Sequence, residues 1–288
     1  MTGSILPSNP IPSGRPPEIL VIGRNSVLAQ AFAACPDRPP CRFVTHAERA
    51  GEGVFGGIRT VVNFAIDPAF RREPYRGEID ADLAAGRMAA ERGLRFVMLS
   101  TRKVYAPADI GAGIDEDGAL GPVDAYGRNK LASERALRSL LGDRLTVLRI
   151  GNIVGYERVP GRPTFMNAML DSLVREGRIR LDVSPFVARD FLPVEDFARV
   201  LGRVLAHDLR GTWNVGSGVA VEVGRLALWL IEGFGAGELH VTSPRHFDSF
   251  RLNIARLERA VGRFCDSGRL EATVRGFGFR LGSETNGV

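Results

Sequence analysis

Glu18-Ile-Leu-Val-Ile-Gly23-Arg-Asn-Ser-Val-Leu-Ala29 runs from a short apolar block, through one glycine, into residues with helical spacing. An unbroken apolar block bounded by glycine is the pattern of a strand buried on both faces, as in a parallel sheet. The helical spacing continues from Asn25 to Cys35 and stops before Pro36. A strand–glycine–helix turn is the frame in which backbone N–H groups at a helix N-terminus meet a pyrophosphate. Only the first glycine of that turn, Gly23, is present; Ser26 and Ala29, both small, stand in for the other two. Taken alone, the segment fits either a phosphate site or a plain structural turn.

The same alternation repeats downstream. Cys41-Arg-Phe-Val-Thr45, Arg59 to Ala65, Leu94 to Thr101 and Arg144 to Ile150 read as strands. Tyr75 to Gly93 and Asp124 to Gly142 carry apolar residues at helical spacing, the first closing on a C-terminal glycine. Strands alternating with helices predict βαβ units, hence an α/β fold with a doubly wound parallel sheet. Beyond Gly155 the rhythm changes, with helices at 164–176 and 194–207 and short strands near 179–183 and 212–215. We expect a flexible Pro-, Ser- and Gly-rich tail over 1–17, a first domain over 18–155, and a smaller lobe over 156–288 with some segments returning to the first domain.

Composition narrows the function classes. Of 288 residues, 44% are hydrophobic and 25% charged, a globular profile. No apolar run approaches the roughly 18 residues of a membrane-spanning helix, and residues 1–17 lack the basic and apolar regions of a secretion signal. The net charge is +5, but the arginines are mixed with acids and no basic block interleaves with aromatics, which argues against nucleic acid. Cys35, Cys41 and Cys265 have no CxxC spacing and an odd count, so neither a disulfide framework nor a metal site is expected. The expected compartment is the cytoplasm.

Two further segments carry chemistry. In Tyr126-Gly-Arg-Asn-Lys130 a spacing of four puts a phenol and an ammonium on one helix face. A free Tyr has a pKa near 10, and one cation at about 4 Å in a partly desolvated site supplies an energy on the order of that needed to bring it to neutrality. Such a pair suits proton exchange with a carbonyl or alcohol oxygen; Tyr and Lys four apart also occur on ordinary helix surfaces. Leu99-Ser-Thr-Arg-Lys-Val-Tyr105 puts hydroxyls at the C-terminal end of a buried strand, where ligands of open parallel sheets sit. Those hydroxyls fit either a substrate contact or a cap on the strand end.

In order along the chain, these segments, with Asn63-Phe-Ala65, Leu148-Arg-Ile-Gly-Asn152, Arg189-Asp-Phe-Leu-Pro-Val-Glu-Asp196 and Asn214-Val-Gly-Ser-Gly218, resemble the extended short-chain dehydrogenase/reductase family of nucleotide-sugar epimerases, dehydratases and ketoreductases. The resemblance covers roughly residues 19–256. It implies a Rossmann-type NAD(P)-binding domain followed by a substrate-binding lobe, and a homodimer with the Tyr126 helix in its interface. It also implies Tyr126 as acid/base, Lys130 as the group that lowers its pKa and holds the nicotinamide ribose, and Thr101 as the group that orients the substrate oxygen. Gly23, Arg24, Asn25, Ser26, Val27 and Leu28 would hold the pyrophosphate, Asn63 and Ala65 would line the adenosine side, and Ser100 would lie at the cofactor. Asn152 and Arg189 match positions that contact a substrate diphosphate, and Arg251 a C-terminal phosphate contact; a strand-end cap, an ion pair to Asp190 and an ordinary surface arginine are the alternatives.

Departures from the family pattern select among its activities. Arg102 and Lys103 stand where dehydratases have Asp-Glu after the catalytic Thr, which argues against dehydration. No cysteine lies between Cys41 and Cys265 to match the Cys and His pair of the epimerase-reductases of GDP-sugars. The short stretch from Thr45 to Arg59 and the run Asp248-Ser-Phe-Arg-Leu-Asn-Ile-Ala-Arg-Leu-Glu are most like the dTDP-4-dehydrorhamnose reductases. The expected function is NAD(P)H-dependent reduction of a nucleotide-diphosphate 4-keto sugar; the alternative is a 4-epimerase with tightly bound NAD. A non-catalytic dinucleotide sensor would not need the Thr101, Tyr126 and Lys130 set.

Cofactor choice has a physical signal of its own. An NAD site places an acid about 20 residues after the glycine turn to accept from the ribose 2′-OH. Counting from Gly23 reaches Phe43 to His46, with no acid before Glu48, whereas Arg24, His46 and Arg49 offer cations. NADP(H) is therefore favoured and NAD(H) remains possible, with Glu48 reaching back to the ribose as the competing arrangement.

Overall fold

The computed structural model describes residues 18–107, 111, 113–158 and 164–286, so the expected tail at 1–17 lies outside the described residues. In chain order the first elements are β1 (Ile19–Ile22), α1 (Val27–Ala34), β2 (Cys41–Val44), β3 (Thr60–Asn63), α2 (Ala81–Glu91), β4 (Arg95–Thr101), α3 (Ala125–Leu141) and β5 (Leu145–Ile150). They are followed by β6 (Asn152–Val154), α4 (Phe165–Glu176), β7 (Arg178–Leu181), β8 (Ala188–Pro193), α5 (Val194–Ala206) and β9 (Gly211–Val215). The chain ends through β10 (Ala220–Glu222), α6 (Val223–Phe234), β11 (Glu238–Val241), α7 (Ala255–Val261) and α8 (Ser267–Asn286).

A six-stranded sheet runs in the order β2-β1-β3-β4-β5-β9, and β1 pairs in parallel with β2 and β3, as β3 does with β4. This is the expected α/β architecture. Every residue of β1 is buried because the sheet is covered twice. On one face Leu20 and Ile22 share a core with Leu83 and Ala89 of α2 and Leu137 and Leu141 of α3. On the other, Phe32 of α1 stacks on Phe64, and a Cβ added at Gly202 of α5 would lie 3.9 Å from the Phe32 ring.

Most element ends agree with the sequence reading to within a residue or two. The helix expected from Tyr75 is an exception. It begins only at Ala81, because Asp80 is extended and its carboxylate accepts from Leu83 N at 2.9 Å. An aspartate so placed satisfies an orphan amide of the first turn and fixes the start. The residues before it form short 3₁₀ turns at Ala69–Arg71 and Gly77–Ile79.

Compactness divides the chain into two units that alternate along it, with no single boundary near 155. One comprises the chain through Ser100, Asp124–Leu148 and Ala198–Thr212; the other comprises Thr101–Val123, Arg149–Phe197 and Trp213 onward. In the second unit β8 lies between antiparallel β10 and parallel β6, and β7 pairs in parallel with β11. Its core collects Met169 and Leu170 of α4, Phe191 of β8, Leu226 and Leu230 of α6, and Val274 and Leu281 of α8. Helices α6 and α8 meet at glycines: a Cβ at Gly278 of α8 would fall 2.2 Å from Leu230 O, and one at Gly233 of α6 would fall 2.0 Å from Arg275 O, so the backbones approach only because neither glycine carries a side chain. No described helix is long and apolar enough to cross a membrane.

Candidate active site

The turn after β1 is built around Gly23. Its φ is +93°, and a Cβ there would lie 2.7 Å from Ala65 N. Gly23 N and Arg24 N both donate to Val44 O, locking the turn against β2. Ser26 is the N-cap of α1, its hydroxyl accepting from Ala29 N at 3.1 Å. That occupies the hydroxyl and leaves the amides of Val27 and Leu28, at the head of α1, as the donors an anion would meet. Asn25 is exposed, and its carbonyl accepts from the Gln30 amide. We expect Gly23→Ala to lower stability by about 1–3 kcal/mol, the range for a residue forced into a disfavoured backbone region. An unchanged thermal midpoint would contradict this account of the turn.

The three cations expected near the ribose differ in what engages them. Arg24 forms a 3.3 Å ion pair with Glu48, whose other carboxylate oxygen accepts from Thr45 N at 2.8 Å. The backbone and side-chain bonds with Thr45, with help from Arg24, hold the Glu48 carboxyl below its usual range. Arg49 donates to the carbonyl of His46. Burial, then the neighbouring Arg49, push the His46 imidazole toward its neutral form, against Asp67. Glu48 is thus fixed at the end of β2, the acid that the residue count placed just beyond reach.

Asn63 at the end of β3 is buried, and its amide is fully engaged. It donates to Ala65 O at 3.0 Å and to Asp82 Oδ1 at 2.8 Å, and accepts from Ala65 N at 3.1 Å. Asp82, on α2, was not anticipated by any motif. Its second oxygen receives the Lys130 ammonium at 2.6 Å, and the same ammonium donates to Leu99 O at 2.8 Å. Both side chains are buried. Burial pushes the Asp82 carboxyl up, against Lys130 and Asn63. Burial also presses the Lys130 ammonium down, but Asp82, with Tyr126 and Asp80, outweighs it, and the net direction is up. We hold to the upward direction for Lys130, because two oxygens within 2.8 Å solvate its charge.

Tyr126 is half-buried on α3, one turn before Lys130, with Nζ 6.0 Å from its ring centre. The Arg71 guanidinium lies 5.2 Å from the same ring, a second cation that sequence reading missed. Helix α3 is placed by its Asp124 cap, which accepts from Gly127 N at 2.7 Å, and by Asn129, which donates to Phe70 O and Glu73 O. Lys130 does not act on Tyr126 as the lone cation of the spacing argument; with Asp82 it forms a nearly neutral buried pair. Ser100 is buried, donating to Glu134 at 2.5 Å.

In the second unit Thr101 is buried at the end of β4, its hydroxyl accepting from Lys103 N at 3.3 Å. Arg189, on β8, is not paired with Asp190. Asp190 is buried and accepts from Ser217 N and Oγ, Gly218 N and Leu252 N, a backbone staple. The partner of Arg189 is Asp248, through its backbone carbonyl at 3.3 Å and its carboxylate at 3.7 Å. Asn152 sits on β6 opposite Phe191 of β8. Arg251 donates to Gly111 O at 2.6 Å. No group of three or more His, Cys, Asp or Glu suited to a metal occurs among the described residues. Burial raises the Cys41 thiol to about 12, despite Arg38 beside it, which removes it as a nucleophile at neutral pH.

Residues 75–216 match the model of the NAD dependent epimerase/dehydratase family. A 149-residue stretch is 34% identical to a dTDP-6-deoxy-L-talose 4-dehydrogenase (NAD(P)(+)) from Kitasatospora kifunensis, covering 49% of this chain and 46% of that protein. The match therefore spans about half of that relative's length. A UDP-N-acetylglucosamine 4-epimerase from Methanobrevibacter ruminantium, solved with UDP-N-acetylmuramic acid, superposes over 94% of this chain and 99% of its own, at a TM-score of 0.77 and 15% identity. RMD from Pseudomonas aeruginosa, solved with NADPH, does so over 93% and 99%, at 0.76 and 20%. At these identities the shared property is the fold.

Proposed function

This chain belongs, through residues 75–216, to the NAD dependent epimerase/dehydratase family, and from that premise we propose that it is an extended short-chain dehydrogenase/reductase that reduces the 4-keto group of a nucleotide-diphosphate sugar. The observation that carries the reading is Lys130, kept charged in a buried position one helical turn from a half-buried Tyr126. An ammonium has three donors, and Asp82 and Leu99 O take two of them. The third is available to a ribose hydroxyl. Tyr126 gives its proton to the substrate oxygen. The turn at Gly23, with the Val27 and Leu28 amides at the head of α1, suits a pyrophosphate. A bound nicotinamide dinucleotide supplies the hydride. The partial match to a sugar-nucleotide 4-dehydrogenase supports the substrate class.

A second reading, a 4-epimerase that retains NAD, is favoured by one observation: Glu48 is held at the end of β2, where an acid accepts from a ribose 2′-OH. Denaturing the purified protein and weighing the released nucleotide separates the two. Retained NAD supports the epimerase, and an empty site with reductase turnover on added NADPH supports the reductase.

For the reductase we propose NADP(H), with Arg24 leaving Glu48 to pair with the 2′-phosphate. NADPH should bind at least about tenfold tighter than NADH, a difference of roughly 1.4 kcal/mol. Arg24→Ala should erase most of that preference and Glu48→Gln should enlarge it. Equal affinities in the parent, or tighter NADH, rule the proposal out.

A further inference from the structure

Outside the catalytic pair, the second unit holds two arginines that converge on one carboxylate. Arg102, in the 3₁₀ turn Arg102–Val104 that follows β4, makes a close ion pair with Asp248. Arg189 of β8 reaches the same carboxylate at 3.7 Å and its carbonyl at 3.3 Å. Both guanidinium-bearing side chains are only 13% exposed. Each lies against an aromatic ring, Arg102 3.9 Å from the centre of Phe250 and Arg189 5.8 Å from that of Phe165. Arg102 Nε is buried with no hydrogen-bond partner among the described residues. Burial lowers the Arg189 guanidinium from its usual range, Asp248 draws it back up, Arg102 lowers it again, and Asp182 adds only a weaker attraction. Two fixed positive charges thus face one carboxylate with donors to spare, a surplus that a dianionic group would satisfy better than Asp248 does.

Asp248 also sits in an uncommon backbone conformation. Its φ of 67° places it among the few described non-glycine residues in the left-handed region. It sits in a strap without helix or strand, tied down on either side of it. Ser184 N donates to Arg245 O, Ala188 N donates to Ser249 Oγ, and Phe250 N donates to Ala188 O. Between the ties, His246 and Phe247 are exposed. The carboxylate takes no part in these ties, so turning it outward would break only its pairs with the two arginines.

We infer that Arg102 and Arg189 together clamp the diphosphate of a nucleoside diphosphate, and that Asp248 is a resident counter-ion which the ligand displaces. This rests on the proposed assignment of Arg189 to a substrate diphosphate, and adds Arg102 as a specificity residue and Asp248 as a gate. It also gives the replacement of Asp-Glu by Arg102-Lys103 a positive role: the site exchanges an acid after Thr101 for a phosphate-binding cation.

The test is calorimetric titration of the full chain with UDP and dTDP, and with inorganic pyrophosphate as the bare anion. Arg102→Ala should weaken both nucleotides and pyrophosphate by roughly tenfold or more, the scale of one charge-assisted bond. Asp248→Asn, which tolerates the left-handed backbone, should tighten all three by several-fold. Binding of the nucleotides but not of pyrophosphate would locate recognition in the nucleoside and overturn the clamp. If Arg189→Ala weakens nucleotide binding while Arg102→Ala and Asp248→Asn leave it within about twofold, the inference fails and the underlying reading of Arg189 stands. If Arg189→Ala has no effect, that reading fails and the two-arginine clamp with it. Weaker binding in Asp248→Asn makes Asp248 a structural brace and likewise overturns the gate. Thermal midpoints of all three variants are measured alongside, so that a folding defect is seen as such.

Discussion

Replacing Tyr126 by Phe should lower turnover about 10²–10⁴-fold, the usual contribution of a positioned acid/base group, with dinucleotide affinity little changed. The substitution removes one oxygen from a half-buried side chain and leaves the ring beside Arg71 and Lys130 in place. The fold, the Gly23 turn and the Lys130–Asp82 pair are untouched, so any loss belongs to the proton step. The measurement is steady-state reduction of a nucleotide-diphosphate 4-keto sugar, with NADPH and NADH binding determined separately. Near-parental turnover in the variant would falsify the role of Tyr126.

Asp82→Asn should cost about 3–5 kcal/mol of stability, the usual loss when one member of a buried ion pair is removed and the other charge is left unpaired. Lys130 is buried, and Asp82 is the carboxylate that receives it. The double variant Asp82→Leu, Lys130→Met removes both charges and should recover most of that stability while abolishing turnover. Urea unfolding of parent, single and double variants checks this. A single variant within about 1 kcal/mol of the parent would mean that Asp82 does not carry the Lys130 charge. The pair also predicts a pH dependence. The folded-state pKa of Lys130 is raised, so its contribution to stability is fully present below the unfolded value near 10.5 and is lost only as pH rises through the folded one. At neutral pH the ammonium should therefore stay charged in the parent protein.

Several residues of the candidate site are legible in the sequence because their structural roles are local. Gly23 is demanded by a turn that leaves no space for a Cβ, and Ser26 by the start of a helix. The spacing of Tyr126 and Lys130 follows from helical geometry alone. The late start of α2 was not readable, because Tyr75, Ile79 and Leu83 keep a spacing of four across Asp80, and only the cap shows where the first turn begins.

The partners of these residues had no such signature. Asp82 is one acid among many in the sequence until α2 and α3 pack and bring it 2.6 Å from Lys130. Arg189 is followed by Asp190, the obvious partner, yet adjacent residues of a strand point to opposite faces. Asp190 turns into its staple, and Arg189 meets Asp248, far away in the chain. Glu48 looked out of register by residue counting, and bonds from Thr45 N and Arg24 fix where its carboxylate lies. Periodicity and turn chemistry act between near neighbours, so the order of strands and helices, the glycine turn and the Tyr–Lys spacing are written in the chain itself. Charge pairing acts through space among residues distant in sequence, and which acid neutralises which base was decided only when the helices and strands packed.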